Sequence, residues 1–239
     1  GVMGDFRTYG YAVAIRAVAP EAILFLEGQV LCSGGTPSQL PRPSFGNFAY
    51  APHFYDPLAL ALGAWSGFTS LTDRAFATMN NKAAGWNVPL LLGEFGIAAG
   101  AGGGLSYVDL MYERLDDYQA SGTYWNFTPG WTPAAKDGWN GEDFSLIAEH
   151  AAPRPTFRYR PYARRIPGTP TALVVTHPGP LATGSIEVKW MHDPARGQLE
   201  LYLPHRELWG AVPLKLDIGG AATGCWFADA SERTLLCQS

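Results

Sequence analysis

The 239-residue chain lacks the long apolar runs of a membrane-spanning protein, since no segment approaches the ~20 apolar residues that a bilayer requires. It also lacks a basic stripe that could meet nucleic-acid phosphates, and its formal net charge is −4. Its basic cluster is interleaved with Pro and Tyr, which is typical of a linker held on a domain surface: Arg154, Arg158, Arg160, Arg164 and Arg165. We therefore predict no nucleic-acid partner.

Cysteine is scarce, and the spacing of Cys32, Cys225 and Cys237 matches no metal-binding pattern. Cys225 and Cys237 flank a predicted hairpin turn at 230–233. The sequence is compatible with a disulfide between them and with two separate thiols. A disulfide would imply an oxidising compartment, while Cys32 would remain a free thiol. The chain as given contains no secretory leader, which is compatible with one lost in missing upstream sequence. We predict a secreted or extracellular protein.

Aromatic residues are plentiful, and they include eight tryptophans. Trp and Tyr suit sugar binding, because the flat ring covers the C–H face of a pyranose while its N–H or O–H stays available. A role in the hydrophobic core is the alternative for most of them.

Strands and helices alternate through the first part of the chain. Short apolar runs predict buried strands at 22–26, 48–55, 88–92 and 122–127. Helical spacing precedes Pro20, and Thr72 and Ser106 are predicted N-caps of two further helices. This order indicates parallel strands with right-handed crossovers over residues 1–152.

The pattern changes after about residue 150. Five prolines between 153 and 170 predict a stiff linker. Short alternating runs at 186–190, 199–203 and 214–218 then have the period of half-exposed strands. We predict a small antiparallel β-sandwich over residues 153–239, so the fold class is α/β plus all-β.

A single carboxylate ends the most apolar predicted strand, where Pro89–Leu92 runs into Glu94 between Gly93 and Gly96. A charge at the end of a buried strand is costly unless it is paired or functional. At the carboxyl end of a barrel strand the usual function is catalysis, and the flanking glycines permit close approach. A surface Glu in a turn is the alternative.

The other predicted strands also end in polar or aromatic residues, namely Glu27, His53 with Tyr55, and Trp125. Period two places His53 and Tyr55 on one side of their strand, and parallel strand ends would converge on one mouth. A carboxylate beside His, Tyr and Trp suits glycoside hydrolysis, with the Trp as the floor under the sugar. The alternatives are that His53 has a structural role, that Tyr55 belongs to a turn, that Trp125 lies in the core and that Glu27 is a solvated strand end.

These motifs in this order resemble the second half of glycoside hydrolase family five. The resemblance implies that residues 1–152 form strands five to eight, the second half of a (β/α)8 barrel. The matching residues are 52–56, 92–96 and 124–126. Within the family, the chain looks most like the endoglycoceramidase group. That likeness rests on the weaker patterns at 137–145, 160–164 and 168–170.

The resemblance implies that Glu94 is the nucleophile of a retaining enzyme and that His53 and Tyr55 hydrogen-bond in the active site. It implies no metal and no organic cofactor. The implied substrate is a β-glycoside, with the bond between a glycan and ceramide as the leading candidate. Peripheral contact with lipid surfaces is a further expectation. A β-glucan or mannan hydrolase and a non-catalytic glycan- or lipid-binding protein are the alternatives. The candidate substrate-binding residues are Trp125, Glu27, Asn126 and Trp139.

The chain departs from the family pattern in one respect. The family's acid/base Glu follows an Asn at the end of strand four, and this sequence contains no Asn-Glu pair. Residues 5–18 match the helix after strand four. We therefore expect a separate N-terminal chain to complete the barrel, and we expect this chain alone to be inactive.

Overall fold

A computed structural model of the chain describes residues 2–136, 141–148, 153–157, 159–176, 185–204, 219–220, 224–228 and 234–238. Contacts between residues divide the chain into two units, Gly1–Phe157 and Arg158–Ser239. Within the described residues, no helix is both long and apolar enough to cross a membrane.

The first unit alternates helices with short parallel strands. Its elements are α1 (Val2–Val18), β1 (Leu24–Leu26), β2 (Phe48–Tyr50), α2 (Pro57–Leu62), α3 (Ser70–Trp86), β3 (Leu91–Phe95), α4 (Gly104–Asp117) and β4 (Ser121–Tyr124). β1 pairs in parallel with β2, and β3 pairs in parallel with β4. A parallel bridge from Tyr50 to Leu90 links the two pairs. The predicted parallel α/β arrangement is therefore confirmed for this unit.

Helices cover this sheet and bury its side chains. All three residues of β2 are buried, which is the habit of a parallel strand covered on both faces. The helix α3 turns Phe76, Met79 and Ala83 into the same core, as their spacing predicts. The most deeply buried large side chains of this core are Tyr50, Phe54, Phe76, Leu92, Phe95, Tyr107, Val108 and Met111.

The predicted starts of two helices were wrong. The N-cap position of α3 is Thr69, and Thr72 lies buried in the first turn, where its hydroxyl donates to Asp56 Oδ2 at 3.3 Å. The helix α4 starts at Gly104 after Gly103, whose φ is +71°, and not at Ser106. Tertiary contacts moved both boundaries, because the local cap signal competes with partners that are distant in sequence.

The helix α2, which the sequence did not predict, follows directly on the strand end that carries His53 and Tyr55. Asp56 occupies its N-cap, and Oδ1 accepts hydrogen bonds from the amides of Leu58 and Ala59 at 2.9 and 3.0 Å. Pro57 suits the first helical position, where a missing N–H costs nothing. The strand predicted at 48–55 is shorter in the structure, where β2 ends at Tyr50. The cap at Asp56 ends the extended segment after β2 and fixes where the Tyr55 side chain starts.

The second unit is antiparallel in its described part. Its strands are β5 (Tyr162–Arg165), β6 (Gly168–Thr176), β7 (Ser185–His192), β8 (Leu199–Tyr202), β9 (Gly224–Phe227) and β10 (Thr234–Gln238). One sheet has the order β5–β8–β10–β9, and β6 pairs with β7 in a second. The predicted strand at 214–218 and the predicted turn at 230–233 lie outside the described residues.

A small apolar cluster joins these strands. Leu199, Leu201 and Leu235 are buried on one face of the four-stranded sheet. Val188 and Trp190 of β7 pack against the same cluster. Alternation along β7 and β8 thus separates an apolar face from a polar face, as the sequence pattern predicts.

Cys225 and Cys237 form a disulfide, while Cys32 is a free, buried thiol. The two bonded residues lie directly opposite each other where β9 pairs with β10. The register of these strands, which the sequence left open, therefore decides between a disulfide and two thiols.

We expect the double replacement of Cys225 and Cys237 by Ser to lower the free energy of unfolding by about 2–3 kcal/mol, because a cross-link over a loop of this length constrains the unfolded chain. Thermal unfolding with and without reductant measures the effect. Reductant should destabilise the wild type and leave the double variant unchanged. Equal sensitivity of both proteins would contradict the prediction.

Candidate active site

The ends of β2 and β3 bring Glu94 beside His53 and Tyr55. Beyond β2 the chain continues alongside β3, with a parallel bridge between His53 and Glu94. The amide of Gly93 donates to the carbonyl of Pro52 at 2.8 Å, and the amide of Phe54 donates to the carbonyl of Glu94 at 2.9 Å. These backbone bonds set the register that makes the three side chains neighbours.

Two donors converge on one oxygen of Glu94. The Tyr55 hydroxyl donates to Glu94 Oε2 at 2.9 Å, and His53 Nδ1 lies 3.3 Å from the same oxygen. Because both contacts hold the same oxygen, they restrict the rotation of the carboxylate. Oε2 is therefore held in place, and the other carboxylate oxygen, Oε1, takes part in neither contact.

Glu27 joins the cluster from the end of β1. Its Oε1 lies 3.2 Å from the same Nδ1 of His53. Burial raises the pKa of the Glu27 carboxyl, nearby His53 lowers it, and the charge of Glu94 raises it again. Burial, reinforced by the hydrogen bond to Glu94, likewise raises the pKa of the Tyr55 phenol far above its ordinary value. Tyr55 consequently stays a protonated donor.

The two glycines around Glu94 leave room that a side chain would fill. A Cβ at Gly93 would lie 3.0 Å from Cδ2 and 3.1 Å from Nε2 of His53. A Cβ at Gly96 would collide with the carbonyl oxygen of Trp125 and approach Phe144 at 3.2 Å. Because the two glycines have no side chain, the His53 imidazole lies close to Gly93 and the Trp125 carbonyl lies close to Gly96.

Trp125 and Asn126 follow β4 and extend the same edge. The amide of Trp125 donates to the carbonyl of Phe95 at 2.8 Å, and the Trp125–Asn126 peptide bond is cis. Asn126 Oδ1 is buried and accepts no hydrogen bond from any described residue. The half-buried Trp125 lies beside Gly96, so its backbone borders the Glu94 strand end. Trp139 lies outside the described residues.

Sequence reasoning missed the contacts of the segment 141–148. The Phe144 ring meets the Tyr55 ring edge-on at a centroid distance of 6.1 Å. Asp143 pairs with Arg154 at 2.9 Å, and its carbonyl accepts from the amide of Ala99 at 2.8 Å. The acidic residues of this segment and Arg154, eleven positions after Asp143, were the available signals, but nothing local showed that they pair.

Metal ligation finds no support in the described ranges. No group of three or more His, Cys, Asp or Glu side chains there is arranged to hold a metal ion. What the described cluster offers is a carboxylate with two donors, a second carboxylate on the shared imidazole, and the backbone of Trp125 bordering the same strand end.

The family model Cellulase (glycosyl hydrolase family 5) matches residues 11–130, which is half of the chain. The matched stretch includes Glu94, His53, Tyr55 and Trp125. The chain belongs to glycosyl hydrolase family 5. The resemblance inferred from the strand-end motifs is thereby confirmed, and no curated protein matches the chain significantly.

Solved structures of two kinds share the fold of this family 5 chain. Endo-glycoceramidase II from Rhodococcus sp., in a cellobiose-like isofagomine complex, is 24% identical with a TM-score of 0.68 over 95% of this chain and 48% of that chain. Its lactosyl-enzyme intermediate is 23% identical with a TM-score of 0.67 and the same coverage. Sterylglucosidase 1 of Cryptococcus neoformans is 21% identical with a TM-score of 0.66, over 95% and 40%. The chain thus spans about half the length of these neighbours.

Proposed function

We propose that this chain supplies the nucleophile side of a retaining β-glycoside hydrolase, with Glu94 as the nucleophile. The observation that carries the proposal is the convergence of the Tyr55 hydroxyl and His53 Nδ1 on Glu94 Oε2. Pinning one oxygen in this way orients the other toward a substrate. Family membership supports the same role for a carboxylate at a barrel strand end.

The proposed reaction has two displacements. Glu94 Oε1 bonds to the anomeric carbon as the bond from that carbon to the aglycone oxygen breaks, and the departing oxygen takes a proton from a carboxylic acid. Water then attacks the anomeric carbon and gives its proton to that carboxylate, while Glu94 departs. The Tyr55 and His53 donors stabilise the Glu94 charge before the first step and after the second.

We propose a glycosphingolipid as substrate. The neighbours are named for glycoceramide and steryl glucoside, both of which join a sugar to an apolar aglycone. Trp125 would form the sugar platform, with Asn126 Oδ1 as a buried acceptor for a sugar hydroxyl and Trp139 as a further contact. The disulfide agrees with a secreted protein, and the second unit would form a β-sandwich beside lipid surfaces.

Strands one to four of the barrel would come from an additional N-terminal segment, which we propose is a separate chain. Within the described residues β1 pairs with β2 alone, so its other edge is open. Phe25 of β1 is 58% exposed, and Ile23, which precedes the strand, is 59% exposed. This segment would also supply the acid/base carboxyl. Native mass spectrometry of active protein should show a larger assembly, and an active monomer of this chain alone would contradict the proposal.

Trapping with a fluorosugar glycoside tests the role of Glu94 directly. Incubation should leave a covalent sugar on the peptide that contains Glu94, and tandem mass spectrometry locates it. The Glu21→Gln variant, which removes an exposed carboxylate, should label normally. Sugar binding without labelling would instead favour a non-catalytic binding protein, and comparing glycosphingolipid with soluble glucan or mannan would separate the hydrolase alternatives.

A further inference from the structure

Glu27 occupies a position that the proposed reaction does not explain. It follows β1 directly and reaches His53 Nδ1 at 3.2 Å, practically the same distance as Glu94 Oε2. The backbone behind it is closely packed, since a Cβ at Gly28 would lie only 2.8 Å from the sulfur of the buried Cys32. The carboxylate is thus presented to the imidazole by a closely packed segment.

Two carboxylates therefore share one nitrogen. A neutral imidazole protonated at Nδ1 has a single N–H there. That N–H can donate one full hydrogen bond to one carboxylate or two weaker bonds to both. Glu94 has a second donor in Tyr55, whereas the described contact of the Glu27 carboxylate is with His53. The imidazole is consequently the means by which Glu27 acts on the site.

The balance between the two carboxylates changes during the proposed reaction. When Glu94 bonds to the sugar it becomes a neutral ester, which is a weaker acceptor than a carboxylate. Glu27 is then the remaining anion beside Nδ1. Partial desolvation raises the pKa of its carboxyl although the side chain is 40% exposed, and the contact with His53 Nδ1 at 3.2 Å ties it to the site.

We propose that Glu27 is a positioning residue that takes over the Nδ1–H of His53 when Glu94 is esterified. The inference rests on the proposed function. In the resting site the two carboxylates share the N–H, and in the covalent intermediate Glu27 holds it. The imidazole keeps one tautomer and one orientation through both steps, and the N–H is available to Glu94 again when the ester breaks.

Imidazole ¹⁵N NMR tests the contact without requiring turnover. The Glu94→Gln variant makes residue 94 neutral, as esterification does, and His53 is assigned by its absence in His53→Asn. We expect neutral His53 to stay protonated at Nδ1 in Glu94→Gln and to become a mixture of tautomers when Glu27→Ala is added. An unchanged tautomer in the double variant would overturn the proposal.

Kinetics of the trapped enzyme test the consequence. Reactivation of the fluoroglycosyl-enzyme should be about tenfold slower in Glu27→Ala, with the labelling rate changed less than about threefold. Glu27→Gln, which keeps an acceptor oxygen and the side-chain shape, should be intermediate, and Glu21→Gln should match the wild type. Equal losses in both steps, or no loss, would overturn the proposal.

Azide distinguishes this role from direct proton transfer. If azide restores the turnover of Glu27→Ala and substrates with good leaving groups remain fast, Glu27 is the acid/base group and the positioning role is wrong. Positioning predicts no azide rescue. Failure of the fluorosugar to label Glu94 would remove the proposed hydrolase function, whereas the NMR result would still decide whether Glu27 holds the imidazole.

Discussion

Glu94→Gln is expected to lower turnover by about 10⁴-fold or more while sugar binding stays within a few-fold of the wild type. An amide has almost the same shape as the carboxylate and still accepts the Tyr55 hydrogen bond through its oxygen. It does not attack an anomeric carbon, however, and losses of this size follow removal of a nucleophile.

Steady-state kinetics on the assembled enzyme measure the loss, and calorimetry with the product sugar measures binding. Glu21→Gln is the matched control, because it removes the same charge from an exposed position. Substantial residual turnover in Glu94→Gln would assign the nucleophile elsewhere, and Glu27 would be the next residue to test.

Tyr55→Phe is expected to lower turnover about 100-fold, because the phenol is the donor closest to the Glu94 carboxylate at 2.9 Å. The replacement keeps the ring that meets Phe144 edge-on, so packing is preserved. Only the hydrogen bond is lost. Glu94 Oε2 then keeps His53 as its single described donor, and the carboxylate is free to rotate out of line.

The control is Tyr11→Phe, in which an 89% exposed hydroxyl is removed with no expected effect on turnover. Because the pKa of Tyr55 is raised, the phenol still donates at pH values where an ordinary tyrosine begins to ionise. The turnover of the wild-type and Tyr55→Phe enzymes should thus change in the same way as the pH rises from 8 to 10. A change that appears only in the wild type would show that Tyr55 ionises there.

The choice of Glu94 over Glu27 as nucleophile depends on their donors. Both carboxylates lie on the same imidazole nitrogen, but Glu94 alone also receives the phenol. The pKa of the Glu27 carboxyl is raised by partial desolvation and by the charge of Glu94, against the lowering effect of His53. The cluster thus separates two similar residues by environment.

Much of this site was predictable from local patterns. The apolar run before Glu94 predicts a strand end, and period two places His53 and Tyr55 on one side of the chain. Because parallel strands end at the same edge, these residues were expected together, and the structure brings all three into contact. No knowledge of distant contacts was needed for that step.

Other features depended on partners distant in sequence. The start of α3 was misplaced because Thr72 bonds to Asp56 rather than capping its own helix. The Asp143–Arg154 pair and the ring contact of Phe144 with Tyr55 also carry no local signature. In each case a side chain has two possible partners, and the fold selects one.

The amino-acid pattern alone determined the alternation of parallel strands and helices and the residues at the strand ends, because periodicity and strand-end chemistry are local properties of the chain. The motifs at those strand ends carried the resemblance to glycosyl hydrolase family 5, which the family model confirms. Tertiary structure alone decided that Cys225 bonds to Cys237, that Tyr55 and His53 share one oxygen of Glu94, and that Glu27 joins them. Those outcomes depend on strand register and on distances of a few ångströms, which arise only when separate segments pack.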